Sequence, residues 1–228
     1  MRCIAIIPAR SGSKGLKDKN IKELCGKPLM AYSIIAANES GVFDEVMVST
    51  DSEQYAETAR QWGANVPFLR SAETSSDTAS SWDMVKEVLN GYKRLGRQFD
   101  AFCLLQPTSP LRDADDIKKA YDMMEKARTA VVSVCEVDHS PLWCNQLPEN
   151  LSMDGFIKRS DNKQRQAAGK YYRLNGSIYF VHIPSFYVDS YLYREGCFAY
   201  IMEREHSIDI DTMLDFRLAE MLMAENNR

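Results

Sequence analysis

Apolar and polar positions follow two alternating rhythms over the first 135 residues, and both lapse afterwards. Short, mostly apolar runs at 3–8, 45–50, 65–69, 101–106 and 130–135 predict buried strands, since a strand covered on both faces shows little polar side. Between them, apolar residues recur at helical spacing over 29–38, 53–63, 80–95 and 113–126, which predicts helices. Pro28 suits the start of the first helix, where a missing N–H is harmless. This alternation predicts a Rossmann-like α/β fold: a mostly parallel sheet with helices on both faces, joined by right-handed crossovers. Ligands in such sheets bind beyond the carboxyl ends of the strands, so the loops after Pro8, Thr50, Gln106 and Cys135 are where chemistry is expected.

The stretch 138–166 has little periodicity, contains Pro141 and Pro148, and ends rich in Lys, Arg and Gln. Beyond it, 170–183 reads as one long strand, 197–202 as another and 212–226 as a closing helix. No repeat, low-complexity tract or linker divides the chain. It reads as a single domain over 1–228 carrying an inserted element at about 138–180, fit either for partner contact or for a solvated excursion.

The formal net charge of -4 gives no global attraction to nucleic acid or to an anionic membrane, so a phosphate ligand must be captured by local positive charge. The six cysteines form no CxxC pair, and Cys3, Cys103 and Cys135 sit in apolar runs as small buried hydrophobes. The start does not read as a signal peptide, and no run reaches the roughly 18 apolar residues of a membrane span. A reduced cytoplasmic protein is expected.

Four segments carry candidate chemistry. Residues 9–20 leave the first strand with Arg10, Lys14, Lys17, Lys19, Gly12 and Gly15. Glycines let backbone N–H groups approach a ligand, and Arg and Lys neutralise phosphate. The loop matches neither a Walker motif nor GxGxxG, and a solvated basic loop is the alternative. Arg70 precedes Ser76-Asp77-Thr78-Ala79-Ser80-Ser81, where small hydroxyl residues suit a base or ribose edge; Asp77 or Thr78 could equally cap the following helix. Gln106-Pro107-Thr108-Ser109-Pro110-Leu111-Arg112 is stiffened by its prolines and places Gln106 and Arg112 at the carboxyl edge of the sheet. In Ser207-Ile208-Asp209-Ile210-Asp211-Thr212, an extended backbone points Asp209 and Asp211 the same way, and two converging carboxylates favour a hard divalent cation. The alternative is that Asp211 caps the last helix, with Thr212 and Asp215 forming a box-like start. His139, His182 and His206 show no metal-ligand spacing, and only His139, beside the insert, lies where a substrate could meet it.

Taken together, these segments resemble the CMP-sialic acid synthetase (acylneuraminate cytidylyltransferase) family over nearly the whole chain. The resemblance rests on Ala9-Arg10-x-x-Ser13-Lys14-Gly15-x-x-x-Lys19-Asn20, on Arg70 with 77–81, and on 105–112. It extends to Arg173-x-Asn175-Gly176-x-Ile178-Tyr179 and Ile208-Asp209-Ile210-Asp211-Thr212. It implies that Arg10, Lys14 and Lys19 hold the CTP phosphates, and that Asn20, Arg70, Ala79 and Ser81 contact the cytidine. It implies further that Gln106, Arg173 and Asn175 meet the sugar, that Arg165 from a partner subunit pairs its carboxylate, and that Asp209 and Asp211 hold Mg2+. A homodimer built through the insert is expected from the same source.

The implied reaction is in-line attack by the anomeric hydroxyl of an acidic nine-carbon sugar on the α-phosphate of CTP, with loss of pyrophosphate. Arg10, Lys19 and Asp211 are the expected catalytic groups, Asp211 assisting deprotonation through the metal. Positioning and charge neutralisation suffice for such chemistry. One position departs from the family: His139-Ser140-Pro141-Leu142-Trp143 has a tryptophan where some sialic acid enzymes carry a lysine. That change makes legionaminic or pseudaminic acid, with more apolar substituents, as plausible as N-acetylneuraminic acid. The rival readings are a cytidylyltransferase for the eight-carbon sugar Kdo, a glycosyltransferase using Asp-x-Asp, and a silent nucleotide-binding scaffold.

Overall fold

The computed structural model describes residues 1–12, 15–76, 78–158, 160 and 169–226. The chain begins with Cys3–Pro8 (β1), a small hairpin of Glu23–Leu24 (β2) and Lys27–Pro28 (β3), Leu29–Ser40 (α1), Glu45–Ser49 (β4) and Glu53–Gln61 (α2). It continues through Ala72–Ser75 (α3), Ser81–Arg94 (α4), Ala101–Leu105 (β5), Ala114–Asp122 (α5) and Ala130–Glu136 (β6). Tyr172–His182 (β7), Ile183–Val188 (α6), Cys197–Ile201 (β8) and Met213–Asn226 (α7) complete it. Six strands form one sheet in the order β4-β1-β5-β7-β6-β8. β1 runs parallel to β4 and β5, and β6 parallel to β8, while β7 is antiparallel to both its neighbours.

The period of two along β1 decides which helix covers which residue. Cys3, Ala5 and Ile7 pack beneath α1, α2 and α5, whereas Ile4 and Ile6 pack beneath α4 and α6, and all five are fully buried. Truncating such an isoleucine to alanine costs about 2–5 kcal/mol. α7 closes the carboxyl edge by packing Phe216 and Ala219 against Leu24, Leu29, Leu111 and Ile210. The C-terminal helix and the β2–β3 hairpin therefore form one small cluster beside the strand ends.

Three differences from the sequence reading have physical causes. The apolar run 65–69 forms only a single parallel bridge, Asn65 to Met47, because Pro67 has no N–H with which to continue the ladder. The β2–β3 hairpin is too short to show periodicity. β7 enters from the carboxyl edge, with no crossover helix among the described residues before it, and so runs against its neighbours. Between Val132 and Val134 the β6–β7 register also shifts, and that bulge lies at the carboxyl edge. Among the described residues of 138–171 no strand forms; Pro141–Trp143 is a short 3-10 turn, and Leu147, Leu151 and Met153 are exposed. All six cysteines are free. Among the described residues no helix is long and apolar enough to cross a membrane.

Candidate active site

The loop after β1 folds over the carboxyl edge and is tied down at both ends. The Ser11 amide and hydroxyl donate to the two carboxylate oxygens of Asp51, which follows β4, at 2.7 and 2.9 Å. At the far end Asp18 takes a left-handed conformation and accepts a hydrogen bond from the Tyr55 hydroxyl at 3.1 Å. Burial and the Asp18 carboxylate together push the Tyr55 phenol up. The buried Asn20 side chain donates to the Arg10 carbonyl at 3.1 Å, a brace across the loop. Arg10 Nη1 reaches the Ser75 carbonyl at 3.1 Å. Gly15 lies so close to the opposite wall that a Cβ there would sit 2.8 Å from the Asp211 carbonyl. Lys14, together with Ser13, lies outside the described residues.

A cleft of about 480 Å³ separates this loop from the segments around α3 and α4. It brings together Arg10, Lys19, Asn20, Arg70, Ala79, Ser81, Gln106 and Asp211. Arg70 follows directly on the Thr50 carbonyl, to which its amide donates at 2.7 Å, and its guanidinium bonds to the Thr74 carbonyl. Burial lowers the Arg70 pKa. Glu87 on α4 fixes this turn by accepting from the Ser71 amide at 2.8 Å and from the Thr74 hydroxyl. The cap of α4 is Ser80, whose hydroxyl accepts from the Asp83 amide at 3.1 Å. Thr78 therefore does not cap that helix, and Asp77 lies outside the described residues.

The acidic corner answers the capping question. Thr212 and Asp215 form the box at the start of α7: Asp215 Oδ2 accepts from the Thr212 amide at 2.7 Å, and the Asp215 amide donates to Thr212 Oγ1 at 3.4 Å. The Asp211 side chain is not the cap. Its carboxylate is exposed and accepts from Lys19 Nζ at 3.0 Å, while Lys19 also donates to the Ile210 carbonyl at 2.8 Å. Asp209 Oδ1 is buried with no hydrogen-bond partner among the described residues. Burial raises the Asp209 pKa, and the neighbouring Asp211 charge adds to the rise, against bonding from Thr108 and the charges of Lys19 and Arg173. An orphaned carboxylate oxygen beside a second carboxylate is a hard-oxygen donor set, and it fits a divalent cation such as Mg2+.

The bulge in β7 brings its first residues toward this corner. Ser133 plugs it, donating to Asn175 Oδ1 at 2.6 Å and accepting from the Ile178 amide at 2.8 Å. The left-handed Gly176 lies against Gln106, where a Cβ would come within 3.0 Å of Oε1 and 3.8 Å of Asp209 Oδ2. Asn175 is not among the residues that line the cleft. It is 1% exposed, and its amide is used by Ser133, Ser207 and the Ser177 backbone, so it holds the bulge instead of facing the cleft. Arg173 is exposed and donates to the Ser207 carbonyl at 3.4 Å, in a neighbouring cleft of about 320 Å³ beside Glu136 and Arg204. Arg165 lies outside the described residues. Arg112 is not an edge residue but a buried strut, bonding to the Ser177 carbonyl at 2.9 Å and to Ser33, with its pKa lowered by burial to about 10.

Sequence reasoning passed over the supports: Asp51, Glu87 and Ser133. Only Asp51 carried a signal, since it follows a strand at the edge where ligands bind. His206, which shows no metal-ligand spacing in the sequence, is a neighbour of Asp113 and Asp116 in a group able to hold a metal by distance alone. There, however, Asp113 and Asp116 are already the two halves of the α5 capping box.

The chain matches the family model described as cytidylyltransferase over residues 4–228. It is 38% identical to CMP-N,N'-diacetyllegionaminic acid synthase of Legionella pneumophila, over 99% of this chain and 98% of that one. It is 39% identical to the N-acylneuraminate cytidylyltransferase of Escherichia coli O18:K1:H7, over 100% of this chain and 53% of that protein, so it spans about half of that relative's length. Among solved structures, a CMP:2-keto-3-deoxy-manno-octonic acid synthetase complexed with CTP matches with a TM-score of 0.74, covering 99% of this chain and 100% of that one at 16% identity. That last likeness is one of fold.

Proposed function

Since the chain belongs to the cytidylyltransferase family, in its sialic acid branch, we propose that it transfers CMP from CTP to the anomeric hydroxyl of an acidic nine-carbon 2-keto sugar, releasing pyrophosphate. The observation that carries this reading is the pairing across one cleft of a cationic loop with an acidic corner, joined by Lys19 and Asp211 at 3.0 Å. Arg10, Lys14 and Lys19 neutralise the triphosphate. Arg70, Ala79 and Ser81 take the cytidine, with Asn20 bracing the loop. Gln106 and Arg173 orient the sugar. Arg10, Lys19 and Asp211 are the catalytic groups.

Asp209 and Asp211 are the residues that would hold Mg2+. When bound, the ion supplies charge neutralisation for the phosphates and lowers the barrier to oxygen attack. The residues of the chain position the two reactants, which is most of what nucleotidyl transfer requires.

Trp143, in the 3-10 turn of the insert, bears on the sugar. An indole in place of a cation favours an acceptor with apolar substituents, such as a legionaminic or pseudaminic acid, over N-acetylneuraminic acid. Kdo, which is one carbon shorter, is the alternative acceptor. A homodimer through the insert, with Arg165 completing the neighbour's pocket, agrees with exposed Tyr172, Leu174 and Ile201, which share one face of β7 and β8, an apolar surface that calls for a cover. We place the enzyme in the cytoplasm.

Nucleotide choice is tested by the thermal midpoint in magnesium. CTP is expected to raise it well beyond ATP or GTP, and equal shifts for all three would remove the cytidine assignment.

A further inference from the structure

The segment that carries Asp209 and Asp211 leaves β8 at Ile201 and reaches α7 at Met213. It has no regular structure of its own beyond one 3-10 turn, so its course is set by the bonds along it. Several such bonds precede α7. His206 Nδ1 lies 2.7 Å from Asp116 Oδ2 on α5. Ser207 Oγ accepts from Asn175 Nδ2 at 2.9 Å. The Ile210 amide donates to the Thr108 carbonyl at 2.8 Å, and the Ile210 carbonyl accepts from Lys19. Of these, only the first is an ion pair to a helix outside the cleft. Asp116 is 5% exposed and is held in turn by the Tyr200 hydroxyl at 3.0 Å and by the Asp113 amide at 3.3 Å. The carboxylate is thus fixed before His206 meets it.

We propose that Asp116 and His206 form a positioning pair that anchors the approach to Asp209 and Asp211 on α5, and so sets the affinity of that corner for a divalent cation. This rests on reading Asp209 and Asp211 as the cation site. The pair sits three residues before Asp209, with only Ser207 and Ile208 between them. Movement at residue 206 therefore passes into the short stretch that aims the carboxylates. Preorganisation of ligands by partners outside the coordination sphere is a general source of metal affinity, and losing such a partner typically costs 10–100-fold in affinity or activity.

The pair also carries a pH signature. Asp116, Asp113 and Glu203 raise the His206 pKa above 6.5, opposed by burial, and His206 together with Tyr200 lowers that of Asp116. Asp113 and Asp116 face the imidazole from α5, Tyr200 from β8 and Glu203 from its own segment. The ionic anchor is complete below the ordinary imidazole value and weakens as pH rises through the raised one. Carboxylate sites ordinarily gain cation affinity as pH rises, so a loss on the alkaline side is a distinct mark.

The test is Mn2+ titrated into the whole substrate-free protein, read by the free-ion paramagnetic resonance signal, with half-saturating Mg2+ in turnover as a second readout. His206→Ala is expected to weaken Mn2+ binding about tenfold at unchanged stoichiometry, at the lower end of that range. His206→Asn, whose amide nitrogen can stand where Nδ1 stood, is expected to recover most of the affinity and to lose the alkaline decline. Wild-type Mn2+ affinity in folded His206→Ala overturns the proposal and makes the pair purely structural. Loss of one bound equivalent in that variant also overturns it, because the Asp113–Asp116–His206 group is then itself the cation site. The double variant Asp209→Asn/Asp211→Asn separates the layers: if it binds Mn2+ like the wild type, the cation assignment beneath the proposal fails, whatever the His206 variants do.

Discussion

Asp209 is an expensive residue to fold around. Its Oδ1 has no partner among the described residues, and burial raises its pKa above the ordinary 3.8. In the metal-free fold the ionised form costs stability, because the unfolded chain releases that proton more readily. The cost is absent below the ordinary value and complete above the raised one. Asp209→Asn is therefore expected to raise the Tm of metal-free protein at neutral pH, with the gain fading toward pH 3.8, while turnover falls severely. A lowered Tm at neutral pH would contradict this. Asp211→Asn should also cut turnover with little change in stability, since Thr212 and Asp215 cap α7 without it. On the cationic side, Arg10→Ala or Lys19→Ala removes a charge-assisted contact, on the order of 1.5–3 kcal/mol in triphosphate binding or turnover. Wild-type kinetics in both variants would remove the phosphate role of the loop.

At the scale of elements, two backbone features shape the cleft. Gly15→Ala would push a Cβ to 2.8 Å from the Asp211 carbonyl, a backbone atom that cannot swing aside. The loop must then withdraw from the acidic corner, so turnover is expected to fall by more than the Tm loss explains. Ser133→Ala unplugs the β7 bulge, leaving buried Ile178 N–H and Asn175 short of a partner at about 1–3 kcal/mol. Because the bulge holds Gly176 against Gln106, the KM for the sugar should rise more than the KM for CTP. The strands β1, β4, β5 and β6 were legible because burial on both faces makes each a mostly apolar run. The antiparallel course of β7 was not, since periodicity carries no direction. Arg10, Lys19 and Arg70 were legible from charge at strand ends. The place of Asn175 in a buried network was not legible, because a polar residue in a family motif can serve such a network as readily as a ligand; Glu87 and Ser133 act through other residues and leave no pattern, and Asp51 shows only its place after a strand.

For the whole molecule, the exposed apolar residues of β7 and β8 and the insert's exposed Leu147, Leu151 and Met153 point to a covered surface in solution. A homodimer is expected by light scattering, and mixing Arg165→Ala with Asp211→Ala should restore partial activity through hybrid dimers. A monomer at working concentration would contradict both. Nucleotidyl transfer to a nine-carbon acid is proposed for the cleft lined by Arg10, Lys19 and Asp211. Its most direct test is pyrophosphate release from CTP and Mg2+ with legionaminic, pseudaminic, N-acetylneuraminic and Kdo acids offered one at a time. Release is expected to require both the acid and the metal, to be fastest with a nine-carbon acid bearing apolar substituents and to be slow with Kdo; release that is fastest with Kdo, or that proceeds unchanged without any acid, would contradict the proposed transfer.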